Sequence, residues 1–317
     1  MSWRQASLFK EADPSLGSGG RCGVQFEHGA GTGGTQLREA SHQPERVRRI
    51  VDETDVAAGA RQKLPIDCHS CRARRDGLCL GLPPETLRVV AGYKSGDRQL
   101  RAGQDLFGLG EECGAIYNLV TGWMFRYALL EDGRRQILDF VLPGAVLGFH
   151  PAQGAMTTFG VEALTDAAVC VIPHRAIEPL SRRHPEIALR LAWLIARDRS
   201  MAFDHLTSVG QHSARERVAH LLLELFIRCR SQWPESGVEQ LRLPLTQEHI
   251  GDATGLTFVH VNRVLRELRQ DGIVEFHYRR LRILDPDKLI DVAGIDPHLA
   301  MSWIPRAPPP RDPRALT

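Results

Sequence analysis

The stretch that most restricts what this chain can fold into is residues 245–285, LTQEHIGDATGLTFVHVNRVLRELRQDGIVEFHYRRLRILD, because its punctuation leaves room for one local architecture. Thr246 is placed as the N-cap of a helix with Glu248 and His249 in its first turn, Gly255 ends that helix, and Thr257 starts another. Helix, glycine-containing turn, helix at this spacing predicts a helix-turn-helix. In the second helix Val261, Val264, Leu265 and Leu268 recur at core spacing, while Phe258, Val259, Asn262 and Arg263 share another face. Asp271-Gly272 and the runs IVEFHY and RLRILD then read as a strand pair, a wing.

The side chains on the free face suit nucleic acid. Within residues 257–282, six arginines (263, 266, 269, 279, 280, 282) against three acids (Glu267, Asp271, Glu275) leave a local charge of +3. A charge run by itself is usually a solvated helix face, but here it coincides with two capped helices, a glycine turn and a wing. Arginine pairs with guanine edges and asparagine with adenine edges in the major groove. The candidate DNA-contacting residues are therefore Thr257, Phe258, Val259, His260, Asn262 and Arg263 on the second helix, with Arg279 on the wing.

Upstream, ARERVAHLLLELFIRCR after Ser213 is an amphipathic helix. Before it, Ile187, Leu191, Leu194, Ile195, Ala202, Leu206 and Val209 follow Pro185 at a period near 3.5 to 3.6, which predicts one long helix whose apolar stripe serves as a dimer seam. Earlier still the text changes to short apolar runs broken by glycine: RQLRAGQDLF, AIYNLVTGWMFRYALL, EDGRRQILDFVLPGAVLGF and GVEALTDAAVCVIP. These predict an antiparallel β-barrel or jelly roll, with the clearest hairpin turning at Asp132-Gly133. Residues 1–60 carry GSGGRCG and GAGTGG and little apolar periodicity, so disorder is expected there; the Pro-rich tail 296–317 is expected to be loose as well.

Composition bounds the class. The chain has 317 residues, 43% hydrophobic and 25% charged, enough for one or two cores, and its net charge of +2 is too small for a general polyanion binder. It shows neither a run of about 18 apolar residues nor a secretory h-region, so no membrane partner is expected and the cytoplasm is the expected compartment. Seven cysteines there are not a disulfide framework, and clustered ones suggest a metal. DCHSCRARRDGLC gives Cys68-x2-Cys71-x7-Cys79 just ahead of the barrel; a four-thiolate site needs a fourth ligand, and the sequence offers Cys170 in AVCVIP. From the residues alone, structural zinc and unpaired thiols remain open.

Through RAGQDLFGLGE, LVTGWMFRY, LPGAVLGF, the Pro185 helix, RERVAHLLLEL and the LTQEHIGDATGLTFVHVNRVL block, residues 84–295 resemble the Crp/Fnr family of transcription regulators. The resemblance implies an α+β fold: a cysteine-rich segment (61–83), a cyclic-nucleotide-binding-type antiparallel β-barrel (84–180), a dimerisation helix (181–212) and a winged helix-turn-helix (213–295). It also implies a homodimer on a palindromic double-stranded promoter site, with RNA polymerase as partner and activation rather than repression. Cyclic AMP is not expected, because GFHPAQGAMTTFGVEAL lacks the Gly-Glu phosphate cassette and the Arg-Ser/Thr-Ala pair of the nucleotide-binding members. In the oxygen-sensing Fnr subgroup, three amino-terminal cysteines and one in the barrel hold a [4Fe-4S] cluster, and Cys68, Cys71, Cys79 and Cys170 look like those four; Cys22, Cys113 and Cys229 match no ligand position. Asp204 falls near the family's acidic position that opposes dimerisation without the cluster. Val259 stands where the family commonly has a base-reading Glu, and Asn262 replaces a small residue before the retained Arg263, which puts the usual TTGA-type half-site in doubt; Arg263 still suits a guanine and Val259 a thymine methyl. A rival class, a cupin-type enzyme, would need a histidine cluster, and His150 and His174 are the barrel's only histidines.

Overall fold

The computed structural model describes residues 66–149, 156–232, 240–296, 300 and 303–304. The expected disorder of residues 1–60, together with Cys22 and His150, lies outside them.

The cysteine segment runs from Ile66 through a short 3-10 turn, Arg72–Arg75, into α1 (Pro84–Tyr93). The strands expected from residue 84 onward are preceded by this helix. Its signals are Pro84 and Glu85 in the first turn, where a missing N–H and a negative charge are both favourable, and Leu87 and Val90 three apart on the buried face.

Eight strands then form two antiparallel sheets. One has the order β1 (Gly96–Leu100), β8 (Ala167–Pro173), β3 (Ala115–Thr121), β6 (Val146–Leu147). The other has the order β2 (Asp105–Phe107), β7 (Gly160–Ala163), β4 (Met124–Leu129), β5 (Arg135–Val141). Leu100, Leu119 and Val169 from the first sheet share a core with Leu106, Met124 and Val161 from the second. Because side chains alternate along a strand, the neighbours Ile116 and Ile172 point to the outer face of the first sheet, where they pack with Leu78, Cys79 and Leu87. The β4–β5 hairpin turns at Asp132-Gly133, with Gly133 at φ 83°.

After α2 (His174–Arg183), α3 (Pro185–Gln211) runs 27 residues, about 40 Å at 1.5 Å per residue. Its apolar positions are not one seam. Ile187, Leu191 and Leu194 are buried against the cysteine segment and α1, whereas Leu189, Ile195, Phe203 and Leu206 are exposed. The expected dimer stripe therefore splits between two faces, because the barrel side of the helix has its own partner to satisfy.

The carboxy-terminal part contains α4 (Ala214–Gln232), β9 (Gln240–Arg242), α5 (Gln247–Thr254), α6 (Phe258–Gln270), β10 (Val274–His277), β11 (Arg280–Ile283) and α7 (Pro286–Ala293), with β11 between β10 and β9. It touches the barrel through Arg135 of β5, which binds Asp252 of α5 at 2.9 Å and lies over the Phe125 ring. The expectation of a loose tail needs correction at Ala300 and Trp303. Trp303 is 1% exposed, packs edge-on against His220 of α4 and donates its indole N–H to Asp204 of α3 at 2.9 Å. A proline-rich sequence signals the absence of regular structure, not the absence of a buried anchor. Among the described residues, no helix is long and apolar enough to cross a membrane.

Candidate functional site

Two sites emerge, at opposite ends of the chain. The first is built on α5 and α6. Thr246 caps α5: its side chain accepts from the His249 N–H, and His249 Nδ1 accepts from the Thr246 N–H. Gly255 closes α5 in the left-handed region at φ 67°, and Thr257 caps α6 by accepting from the His260 N–H. The turn needs a second glycine, Gly251, that carries no helix-ending signal in the sequence. A Cβ at Gly251 would lie 2.5 Å from the Leu256 carbonyl oxygen, so only glycine lets the turn fold back on its own helix.

Val261, Val264, Leu265 and Leu268 are buried, which turns the opposite face of α6 outward. Thr257, Phe258, Val259, Asn262 and Arg263 are exposed and His260 is half-buried. Their polar atoms are organised. Arg263 lies 2.8 Å from His260 Nε2; Asn262 donates to Gln247 and accepts from Arg266. A base edge would have to replace these intramolecular bonds. Beyond α6, the wing turns at Tyr278 and Arg279, at φ 50° and 62°, the two-residue arrangement that matches the twist of a tight hairpin. That conformation holds Arg279 out in solvent and leaves Tyr278 95% exposed. Tyr278 was not among the expected contacts; its position at the tip follows from the register His277↔Arg280, which the sequence does not print.

The second site lies on the outer face of the first barrel sheet. Cys68, Cys71, Cys79 and Cys170 line one cavity, together with Arg74, Lys94, Asn118, Val120 and Ile172. Three of the thiols come from the amino-terminal segment and one from β8, roughly ninety residues later. The close approach of that segment to the barrel depends on Gly77 and Gly144: a Cβ on Gly77 would fall 1.9 Å from the Gly144 carbonyl oxygen, and one on Gly144 2.1 Å from that of Asp76. Lys94 pairs with Asp97 and donates to the Ile66 carbonyl, while the Ile66 N–H donates to Asp97, so the start of the segment is tied to β1. Arg190 of α3 donates to the Leu80 carbonyl at 2.6 Å and ties the segment's other end to the long helix.

Burial raises all four thiols, Cys79 to about 12 and Cys170 to about 11, and the neighbouring thiols add to the effect at Cys79 and Cys170. Without a bound cation they stay protonated; a metal binds by displacing those protons. Two polar atoms at the cavity are buried and have no hydrogen-bond partner: Arg74 Nε and Asn118 Oδ1. Four soft donors and two cationic side chains, Arg74 with an N–H still unpaired, fit an anionic, sulfur-rich core. Among the described residues, no three His, Cys, Asp or Glu side chains meet closely enough to hold a single metal ion. Tetrahedral zinc with Zn–S bonds of 2.3 Å would require sulfurs about 3.8 Å apart. Cys113 and Cys229 are buried elsewhere, Cys113 donating its S–H to the Ala115 carbonyl. His174, one of the two histidines a barrel enzyme would need, has Nε2 against the Gly148 carbonyl at 2.8 Å.

Comparison with known proteins gives a consistent picture. Residues 97–184 match the cyclic nucleotide-binding domain family and residues 216–292 the Crp-like helix-turn-helix domain family. The nitrogen fixation regulation protein FixK of Rhizobium meliloti is 34% identical over 203 residues, 64% of this chain and 86% of that protein. The transcriptional activator protein FnrL of Cereibacter sphaeroides is 28% identical, covering 72% of this chain and 92% of that protein. Among solved structures, FixK2 from Bradyrhizobium japonicum superposes with a TM-score of 0.56 at 29% identity, covering 63% of this chain and 98% of that one.

Proposed function

Because the chain belongs to the Crp/Fnr family of DNA-binding transcription regulators and not to an enzyme family, we propose that it is an oxygen-responsive transcription activator, working in the cytoplasm as a homodimer. In this reading Cys68, Cys71, Cys79 and Cys170 hold a [4Fe-4S] cluster. The observation that carries the reading is that these four thiols, far apart in the chain, line a single cavity beside α3. When bound, the cluster supplies a core that dioxygen attacks, so its presence reports the absence of the gas.

The chain's own residues supply the coupling. The cysteine segment buries the inner face of α3 at Ile187, Leu191 and Leu194 and is pinned to it by Arg190. Holding the four thiols together keeps that segment in place and keeps the helix in one position. The outer face of the same helix, at Leu189, Ile195, Phe203 and Leu206, is the apolar surface that a second copy covers. Two copies then present two α6 helices to a palindromic site, where Arg263 and Asn262 read base edges, Val259 meets a thymine methyl and Arg279 holds the backbone. RNA polymerase is the partner recruited. Nothing in this reading calls for cyclic AMP, and the stretch that would form its phosphate cassette falls partly outside the described residues.

Anaerobic purification followed by iron and acid-labile sulfide analysis tests the proposal. About four irons per chain, with absorption near 400 nm that decays in air, and a gel shift lost in the same time, are expected. Stoichiometric zinc, or air-stable DNA binding, would replace this reading with a regulator answering another signal.

A further inference from the structure

Asn118 is an odd residue for its position. It lies on β3 in an outer-face row whose other members at the cavity, Val120 on the same strand and Ile172 on β8, are apolar. The residue is 3% exposed, and its Oδ1 is buried without a hydrogen-bond partner. An amide buried in that state costs free energy that a leucine of the same size would not, so the position asks for a partner from outside the chain's own polar groups.

The sheet register says where that partner sits. Asn118 pairs directly with Cys170, which in turn pairs with Asp97 on its other side, so the three side chains form one row across β3, β8 and β1 on the face that carries the cavity. Directly opposed residues have their Cβ atoms about 4.5–5.5 Å apart, which places the amide next to whatever sulfur Cys170 holds. The two ends of an amide exchange by a half-turn about the last side-chain bond. In the rotamer that turns the NH2 end toward the cavity Asn118 lines, the amide is a donor to whatever occupies it. Lys94, which also lines the cavity, already gives two of its three N–H donors to Asp97 and the Ile66 carbonyl, whereas the Asn118 amide has no hydrogen-bond partner among the described residues.

We propose that Asn118 is a positioning residue of the cysteine site, donating an N–H···S hydrogen bond to the Cys170 thiolate or an adjacent bridging sulfide. The inference rests on the cluster reading above and adds a residue to it. Hydrogen bonds to cluster sulfurs raise the reduction potential, so the amide makes the bound core harder to oxidise and sets how long it survives in air. Asn118 thereby tunes the oxygen threshold without being a ligand.

The chain contains asparagine only at positions 118 and 262, and Asn262 is held on the DNA-binding helix by Gln247 and Arg266. Full-length protein labelled with 15N-asparagine, loaded anaerobically and reduced with dithionite, therefore isolates one amide for pulsed electron paramagnetic resonance. A 15N coupling to the cluster spin is expected in the wild type and is lost in Asn118→Leu. The same variant should keep the wild-type iron content, show a lower midpoint potential and lose its 400 nm absorption about three- to ten-fold faster in air. Asn118→Ala provides a second substitution if leucine impairs folding, and the wild-type coupling needs no variant at all. A loaded wild-type protein without 15N coupling, or variants with unchanged potential and lifetime, overturns the proposal while leaving the cluster in place. A wild-type protein that takes up no iron or sulfide overturns the cluster reading itself.

Discussion

Replacing Trp303 with alanine tests whether the carboxy-terminal segment is part of the folded body. The side chain is 1% exposed and contributes to the core that includes α4 and the winged domain. Truncating a buried tryptophan to alanine removes its transfer free energy and leaves a cavity, together about 3–5 kcal/mol. The indole N–H bond to Asp204 is part of this; a hydrogen bond to a charged acceptor contributes about 1.5–3 kcal/mol. Because the cost of such a truncation falls as the surroundings relax into the space, the lower end, about 3 kcal/mol, is the expected loss. For a chain of this size each kcal/mol moves Tm by about 2–4 °C, which puts Trp303→Ala roughly 6–12 °C below wild type. Trp303→Phe keeps an aromatic ring against His220 and loses only the donor, so it should fall between the two. Thermal unfolding followed by circular dichroism reads both. If Trp303→Ala melts within about 1 °C of wild type, an error smaller than 0.5 kcal/mol, the indole is not buried in solution and the packing argument is wrong.

On DNA, Arg263→Ala should cost about 1–3 kcal/mol and relax one base position, whereas Arg279→Ala should weaken all sequences alike and lower the salt slope by about one; equal losses for Arg263→Ala on specific and random DNA would remove its reading role. Gly144→Ala puts a methyl group into the Asp76 carbonyl from a backbone at φ 96°, so the cysteine segment should lift from the barrel and trypsin should cut faster within Arg72–Arg75; unchanged cleavage would mean that the approach relaxes cheaply. Burial holds His220 and His249 below the ordinary imidazole value of 6.5. The unfolded chain therefore takes up these protons first, and the stability they lend is complete above about pH 6.5 and is lost as pH falls through the lower folded values. Protonated His249 would also lose the Nδ1 lone pair that accepts from Thr246. A Tm that is flat between pH 7.5 and 5.5 would contradict this.

The parts of this protein written most plainly in its sequence are those governed by neighbours in the chain. Thr246, Gly255 and Thr257 set helix ends through bonds to backbone groups within three or four residues, and the spacing of Val261, Val264, Leu265 and Leu268 decides which face of α6 turns inward. Local hydrogen bonding and helical periodicity act over a few residues, so the winged helix-turn-helix could be read without coordinates. The hairpin at Asp132-Gly133 was legible for the same reason.

Tertiary structure decided everything that depends on which surfaces meet. The periodicity of α3 marks apolar positions but not their partners, so one predicted stripe divided into buried positions at Ile187, Leu191 and Leu194 and exposed ones at Ile195 and Leu206. Sequence spacing made Cys68, Cys71 and Cys79 neighbours, whereas only the β1–β8–β3 register carries Cys170 to the same cavity and sets Asn118 beside it. Trp303 sits in a segment with no periodicity at all, and its burial follows from contacts with Asp204 of α3 and His220 of α4, which are far from it in the chain. Contacts between residues tens of positions apart have no local signature, because their free energy is gained only when the intervening chain has already folded.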